Sequence, residues 1–300
     1  MRVGISIGTV FDPAESTGAA SSVLAQGQAA ERAGLSSLTV GDRHATAPAV
    51  YLQNVPLVGR ILGVWHQGPV GCLFLVPLWH PVLKAEQIGT LAAMAGAPFI
   101  VQVGVGEGEA LFAAMGEDLR GRGARTERAI HLVKALLDGE IVDDDEWNIR
   151  GARIAPRPAH GTEWWLGGSV QRSIDRAARL GTSWYGNADL TPQTAATAMD
   201  VYRDACARHD RQPTRIPIRK DVHLAEDRAE AERVGDALVH ARYRGFDREA
   251  VAYGDPRSVA EQLAPYGELG FTDIIIRTMT RDDSARRAVE LTEELSALLA

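Results

Sequence analysis

Three hundred residues with 45% hydrophobic and 24% charged side chains describe a globular chain long enough to bury a large core in one domain. A formal charge of −7 with no basic stripe excludes a nucleic-acid partner, and two distant cysteines, Cys72 and Cys206, exclude a disulfide scaffold. No apolar run reaches the length of a bilayer span and the N-terminus lacks a signal-peptide pattern, so the expectation is a cytoplasmic protein with no membrane partner.

Apolar runs of strand length alternate with amphipathic helical stretches, which predicts βα units around a parallel sheet. The first strand spans Val3 to Ile7; a helix over Val23 to Ala33 follows, capped at Ser21 and Ser22 and stopped by Gly34. Strand two, Ser37 to Val40, ends in Gly41-Asp42-Arg43-His44. A long excursion from Ala45 to Gly68 contains a helix over Tyr51 to Leu62. Strand three, Val70 to Leu75, is a continuous apolar run, as a strand covered on both faces requires, and Pro77 and Pro81 punctuate its end before a helix over Val82 to Ala95.

Strand four, Phe99 to Val105, runs into Gly104-Val105-Gly106-Glu107-Gly108. An arginine-rich loop leads to a helix over Thr126 to Leu137, and Trp147 to Ile154 reads as a small hairpin. Strand five, Glu163 to Leu166, ends in Gly167-Gly168-Ser169 before a helix over Gln171 to Leu180. Strand six is Ser183 to Tyr185, and Thr191-Pro192 opens a helix to His209, with proline where its missing donor costs nothing. Strand seven, Ile216 to Leu224, precedes a charged helical insertion from Asp227 to Arg244 and a helix running from Gly254-Asp255-Pro256 to Tyr266. Strand eight, Asp273 to Arg277, and a helix over Asp283 to Leu299 finish the chain. This is the pattern of one (β/α)8 TIM barrel over residues 1–300, with insertions after strands 2, 4 and 7.

In such a barrel the chemistry collects at the C-terminal strand ends. His44 is the best-placed proton carrier, because an imidazole titrates near neutrality; Asp42 can orient it and Arg43 can pair with an anion. The bland alternative is a surface ion pair beside a loop histidine. The Gly104-Val105-Gly106 cluster is only part of a dinucleotide fingerprint. Gly167-Gly168-Ser169, at a helix start, suits either an anion held by backbone N–H groups or a tight turn. Trp79 and His80 stand at the mouth as substrate wall or packing, and no histidine spacing supports a metal site.

The ordered set of Asp42-Arg43-His44, Trp79-His80-Pro81, Lys84-Ala85-Glu86, Gly104 to Gly108, Gly167-Gly168-Ser169 and Gly254-Asp255-Pro256 resembles the bacterial luciferase-like monooxygenase family of flavin-dependent oxidoreductases. The resemblance implies a barrel that binds reduced FMN, used with oxygen, or the deazaflavin coenzyme (factor 420), used for hydride transfer. Asp42 with His44 or Arg43 would take the catalytic slot, and a non-prolyl cis peptide near Cys72-Leu73 would prop the flavin ring. The phosphate would lie on Gly167, Gly168 and Ser169, with Arg172 as helper. Two departures stand out: Arg43 separates the acid from the histidine, and Glu107 occupies a position where luciferases proper carry a phosphate-binding arginine.

The first expectation is therefore a monooxygenase using reduced FMN from a separate flavin reductase, in a closed apolar pocket, on a small organic substrate. The second is a deazaflavin-dependent reductase or dehydrogenase with Arg172, Arg219 and Lys220 as a basic track. The third is a non-catalytic flavin-binding relative. A homo-oligomer is expected in each case.

Overall fold

The computed structural model describes residues 1–281 and 283–300. Among them nine strands join one parallel sheet: β1 (Arg2–Ile7), β2 (Leu38–Val40), β3 (Val70–Leu75), β4 (Phe99–Gly104), β5 (Thr162–Gly167), β6 (Ser183–Tyr185), β7 (Pro217–Leu224), β8 (Val251–Gly254) and β9 (Asp273–Thr278). Their order is β6-β5-β4-β3-β2-β1-β9-β7-β8. The sheet curls until its two sides meet beyond β6, where Gly186 donates to the Pro217 carbonyl at 2.8 Å and accepts from the Arg219 N–H at 3.1 Å. Only a glycine fits this junction, since a Cβ would come within 2.9 Å of Ile218.

The ninth strand is the departure from the eight that the sequence suggests. β8 pairs with Asp221–Leu224, the C-terminal half of β7, and lies outside the curl. Other differences have local causes. The first helix, α1 (Ser16–Arg32), starts before Ser21, because Asp12 and Glu15 form a capping box on a 3-10 turn that feeds straight into it. Tyr51 is not helical: Val50–Tyr51 pairs with Val10–Phe11, and α2 spans Asn54–Ile61. After α3 (Pro81–Met94) come a short α4 (Glu109–Ala114), not foreseen, and a longer α5 (Arg122–Asp138). The remaining helices are α6 (Gln171–Leu180), α7 (Pro192–Arg208), α8 (Arg228–His240), α9 (Pro256–Glu268), α10 (Asp283–Glu290) and α11 (Thr292–Leu299). The C-terminal helix is split in two where buried Thr292 turns its hydroxyl back onto the Val289 carbonyl at 2.5 Å.

Strand alternation sorts the side chains into two compartments. Outward residues such as Val3, Ile5, Val40, Val70, Cys72 and Phe74 pack under the helices in the main core. Inside the curl the residues are layered. At the N-terminal end Arg215 binds Glu163 at 3.1 Å and Asp273 at 2.7 Å, and Arg2 reaches Asp273 at 3.0 Å. Burial opposes ionisation of Asp273, but Arg215 outweighs it and holds the carboxyl below the usual range. Above this plug lies an apolar layer of Ile100, Trp165 and Ile275 against Tyr185. Above that, toward the C-terminal strand ends, the lining becomes polar.

Gly71 faces the apolar layer, where a Cβ would collide with the Ile100 carbonyl oxygen on the neighbouring strand. Backbone atoms cannot step aside, so Gly71→Ala should cost about 3 kcal/mol, read from the urea midpoint. Exposed Gly18, in open space on α1, is the control; Gly18→Ala should stabilise by about 0.5–1 kcal/mol.

Candidate active site

The segment after β2 is where the C-terminal end is tied together. Asp42 continues the outward parity of Leu38 and Val40, so its carboxylate tucks beside β3 rather than into the curl. Its Oδ2 accepts from the Leu75 N–H and from the Trp79 indole N–H, each at 2.8 Å. The other oxygen, Oδ1, lies 3.2 Å from Nε2 of His44, close enough to pair with a protonated imidazole although the angle is not that of a hydrogen bond. The Asp42 side chain is 0% exposed. Trp79 holds the imidazole from the side, edge-on at 5.7 Å between ring centroids. Asp42 and His44 are therefore brought together. Arg43 is not: it points the other way and lines the mouth of the curl with Glu107.

The chain beyond β3 is clamped at its carbonyls. Lys84 is fully buried and donates to the Val76 carbonyl at 3.1 Å, and Arg125 donates to that of Pro77 at 3.2 Å. Burial pushes the Lys84 amine down to about 7, with Asp42 opposing the shift.

The mouth is a cavity of about 600 Å³ lined by Arg43, Glu107, Tyr185, Asn187, Ala188, Asp189, Arg219, Arg244 and Phe246. Arg219 and Asp221 sit two apart on β7 and so face inward together, with Arg219 Nε 2.9 Å from Asp221 Oδ1. The Tyr243 hydroxyl donates to Asp221 Oδ2 at 3.0 Å, and Arg244 Nε stands 3.6 Å from the same oxygen. On β9, Arg277 binds the Ser6 hydroxyl at 2.6 Å and the Ser6 carbonyl at 3.2 Å. Burial first, and the neighbouring Arg219 charge next, hold Arg277 below the usual arginine range. Tyr185 stacks on Trp165 at 5.8 Å; its hydroxyl and the Gln102 amide nitrogen are neighbours that miss hydrogen-bond geometry, leaving two buried polar atoms unsatisfied.

The other residues singled out in the sequence scatter around this mouth. Leu73 faces the interior, while its carbonyl accepts from Asn54 at 2.5 Å. Cys72 faces the helical layer and is 0% exposed, so it does not line the mouth; burial pushes its thiol up. The cis peptides among the described residues are Ala47–Pro48 and Ala155–Pro156, and Cys72–Leu73 is not one of them. Gly104 faces inward beside Leu73 and Leu75, and Gly106 turns the chain so that Glu107 reaches the mouth. Gly167 ends β5 and Gly168 follows it, its carbonyl accepting from the Trp184 indole at 2.8 Å, and Ser169 is exposed. Arg172 lines a second cavity, about 640 Å³, with Arg122, Arg176, Val170 and Ser173, between the N-termini of α5 and α6. Lys220 is behind the sheet, bonded to the carbonyls of Ala188 (3.2 Å) and Leu190 (2.7 Å) and to the Tyr266 hydroxyl (2.8 Å). The three basic residues expected to form one track thus occupy three places. Among the described residues no cluster of three or more His, Cys, Asp or Glu is placed to hold a metal.

The family model for luciferase-like monooxygenases matches residues 1–295. This chain belongs to that family. The F420-dependent glucose-6-phosphate dehydrogenase of Beutenbergia cavernae is 27% identical over 92% of this chain and 93% of that protein. The FMNH(2)-dependent dimethylsulfone monooxygenase of Pseudomonas fluorescens is 25% identical over 72% of this chain and 59% of that one. In fold, the crystal structure of monooxygenase RslO1 from Streptomyces bottropensis superposes with a TM-score of 0.85 at 18% identity, covering 98% of each chain. The family is thus one of oxidoreductases, with both a deazaflavin and a flavin user among these relatives.

Asp42→Ala would strand two buried donors, and should cost about 2–4 kcal/mol in a chemical-denaturation curve. The buried amines make a pH prediction. Burial holds Lys84 and Lys220 near 7 when folded, against the ordinary lysine value of 10.5. Between those values the unfolded chain binds more protons than the folded one, so stability rises with pH across that window. The melting temperature should be higher at pH 9 than at pH 7, and Lys84→Met should flatten the rise.

Proposed function

We propose that this chain is a deazaflavin-dependent oxidoreductase that moves a hydride between the coenzyme and a small polar substrate at the mouth of a (β/α)8 barrel. The observation that carries this reading is the polarity of the mouth. Oxygen chemistry on a reduced flavin needs a site that excludes water. Here the cavity is walled by Arg43, Glu107, Asn187, Asp189, Arg219 and Arg244, which hold water rather than exclude it. The relative that aligns over nearly the whole chain is also a deazaflavin user by name.

The residues present fit such a coenzyme. The unsatisfied Gln102 amide and Tyr185 hydroxyl offer donors to the polar edge of a ring, and Leu73, Leu75 and Gly104 offer it a flat apolar side. Arg122 and Arg172, with the N-termini of α5 and α6, would hold the anionic tail beyond Gly167, Gly168 and Ser169. When bound, the coenzyme supplies the two-electron hydride acceptor. His44, next to Arg43 at the strand end, would take the hydroxyl proton and the coenzyme the hydride, so that an alcohol would become a carbonyl. Asp42 Oδ1, 3.2 Å from Nε2, would stabilise the imidazolium formed. Arg43 and Glu107 orient the substrate from the opposite wall.

The test is an anaerobic assay of coenzyme bleaching with glucose 6-phosphate and a panel of secondary alcohols. Turnover without oxygen is expected, and His44→Ala should lower it by about a hundredfold. An unchanged rate would remove His44 from the mechanism. Turnover only with reduced FMN and oxygen would replace this reading with a monooxygenase fed by a separate reductase. Coenzyme binding with no turnover on any substrate would leave a non-catalytic binder.

A further inference from the structure

The charges at the inner end of the mouth do not balance. Among the described residues, Arg219 and Arg244 flank one carboxylate there, Asp221, at 2.9 and 3.6 Å, and the Arg277 guanidinium feels the charges of all three. That carboxylate is 0% exposed and already engaged by Arg219 at 2.9 Å and Tyr243 at 3.0 Å. At the rim Arg43 and Glu107 share a wall and offset one another, and Asp189 lines the same cavity. Arg43, Arg219, Arg244 and Arg277 thus face Glu107, Asp189 and Asp221, an excess of about one positive charge among these residues in a chain whose formal charge is −7. Arginine stays ionised, and a buried guanidinium facing its like is costly unless an anion arrives. Arg277, driven below the usual range by burial and by Arg219, carries that cost here.

The three side chains are also presented, not merely near. Arg244 stacks on Phe246 at 5.1 Å, borders both the 600 Å³ mouth and a smaller recess of about 90 Å³, and leaves 44% of its side chain open. Arg277 and Tyr51 line the same recess. The cavity beside Arg172 lies at the N-termini of α5 and α6 and shares none of these residues, so the coenzyme's tail already has a separate basic seat.

We infer that the substrate carries a fixed negative charge, a carboxylate or a phosphate ester, which seats on Arg219 and Arg244 with Arg277 behind them. This deepens the proposed hydride transfer and rests on it. The anion fills the electrostatic deficit, and the seat sets which end of the substrate faces His44. A neutral alcohol of the same size leaves the guanidiniums uncompensated and binds weakly.

Calorimetric titration of the protein loaded with oxidised coenzyme tests this, using inorganic phosphate, oxalate and 2-propanol as probes. At least one anion should bind in the millimolar range or tighter, and 2-propanol at least tenfold more weakly. Phosphate alone marks a phosphate-ester seat and oxalate alone a carboxylate seat. Arg244→Gln should weaken the anion at least tenfold with coenzyme affinity unchanged within twofold, and Arg244→Lys should recover most of the loss. Circular dichroism checks that each variant is folded. No anion binding by the wild type overturns the inference. So does an Arg244→Gln variant that loses coenzyme and anion together, because the guanidiniums would then serve the coenzyme. If coenzyme fails to bind but the coenzyme-free protein binds anion in an Arg244-dependent way, the seat stands and the hydride-transfer reading falls.

Discussion

One carboxylate organises the C-terminal end of this molecule. Asp42 leaves β2 on its outer side and binds the Leu75 N–H at the end of β3 and the Trp79 indole beyond it, both at 2.8 Å. Because it is buried, neither donor has water as a substitute partner, and the bonds are costly to lose. His44 then has a fixed place, between the free oxygen of Asp42 and the edge of Trp79. Lys84 and Arg125 hold the carbonyls of the same turn from beneath. The position of the imidazole is thus a consequence of how two neighbouring strand ends are tied.

The mouth is organised by parity in the strands. Charged residues at alternate positions of β7, Arg219 and Asp221, face inward, and Arg277 at the end of β9 joins them. Below them an apolar layer around Trp165 and an ionic plug around Arg215 close the N-terminal end, so the interior is open only toward the C-terminal strand ends. The lining at that end is polar and cationic.

Much of this was legible in the residues themselves. Val70–Leu75, Gln171–Leu180 and Ser183–Tyr185 form the elements that their patterns predict, because long apolar runs and clear stop residues leave little choice. The start of α1 was not, because the capping box at Asp12 and Glu15 sits outside the apolar periodicity. β8 is four buried residues with no flanking strand signal of its own, and depends on pairing to β7. At the site, the closeness of Asp42 and His44 follows from their spacing. The outward direction of Cys72 was available from its parity with Val70 and Phe74. The inward pair of Arg219 and Asp221 was available in the same way, as charges two apart in an otherwise buried strand. Arg244 was not, since only tertiary packing brings a short turn after α8 over Asp221.

The account turns on which coenzyme the end of the barrel takes. Side-by-side anaerobic calorimetry of the purified protein with the oxidised deazaflavin coenzyme and with reduced FMN measures this most directly. The deazaflavin should bind at least tenfold more tightly. Equal or tighter binding of reduced FMN would contradict the account.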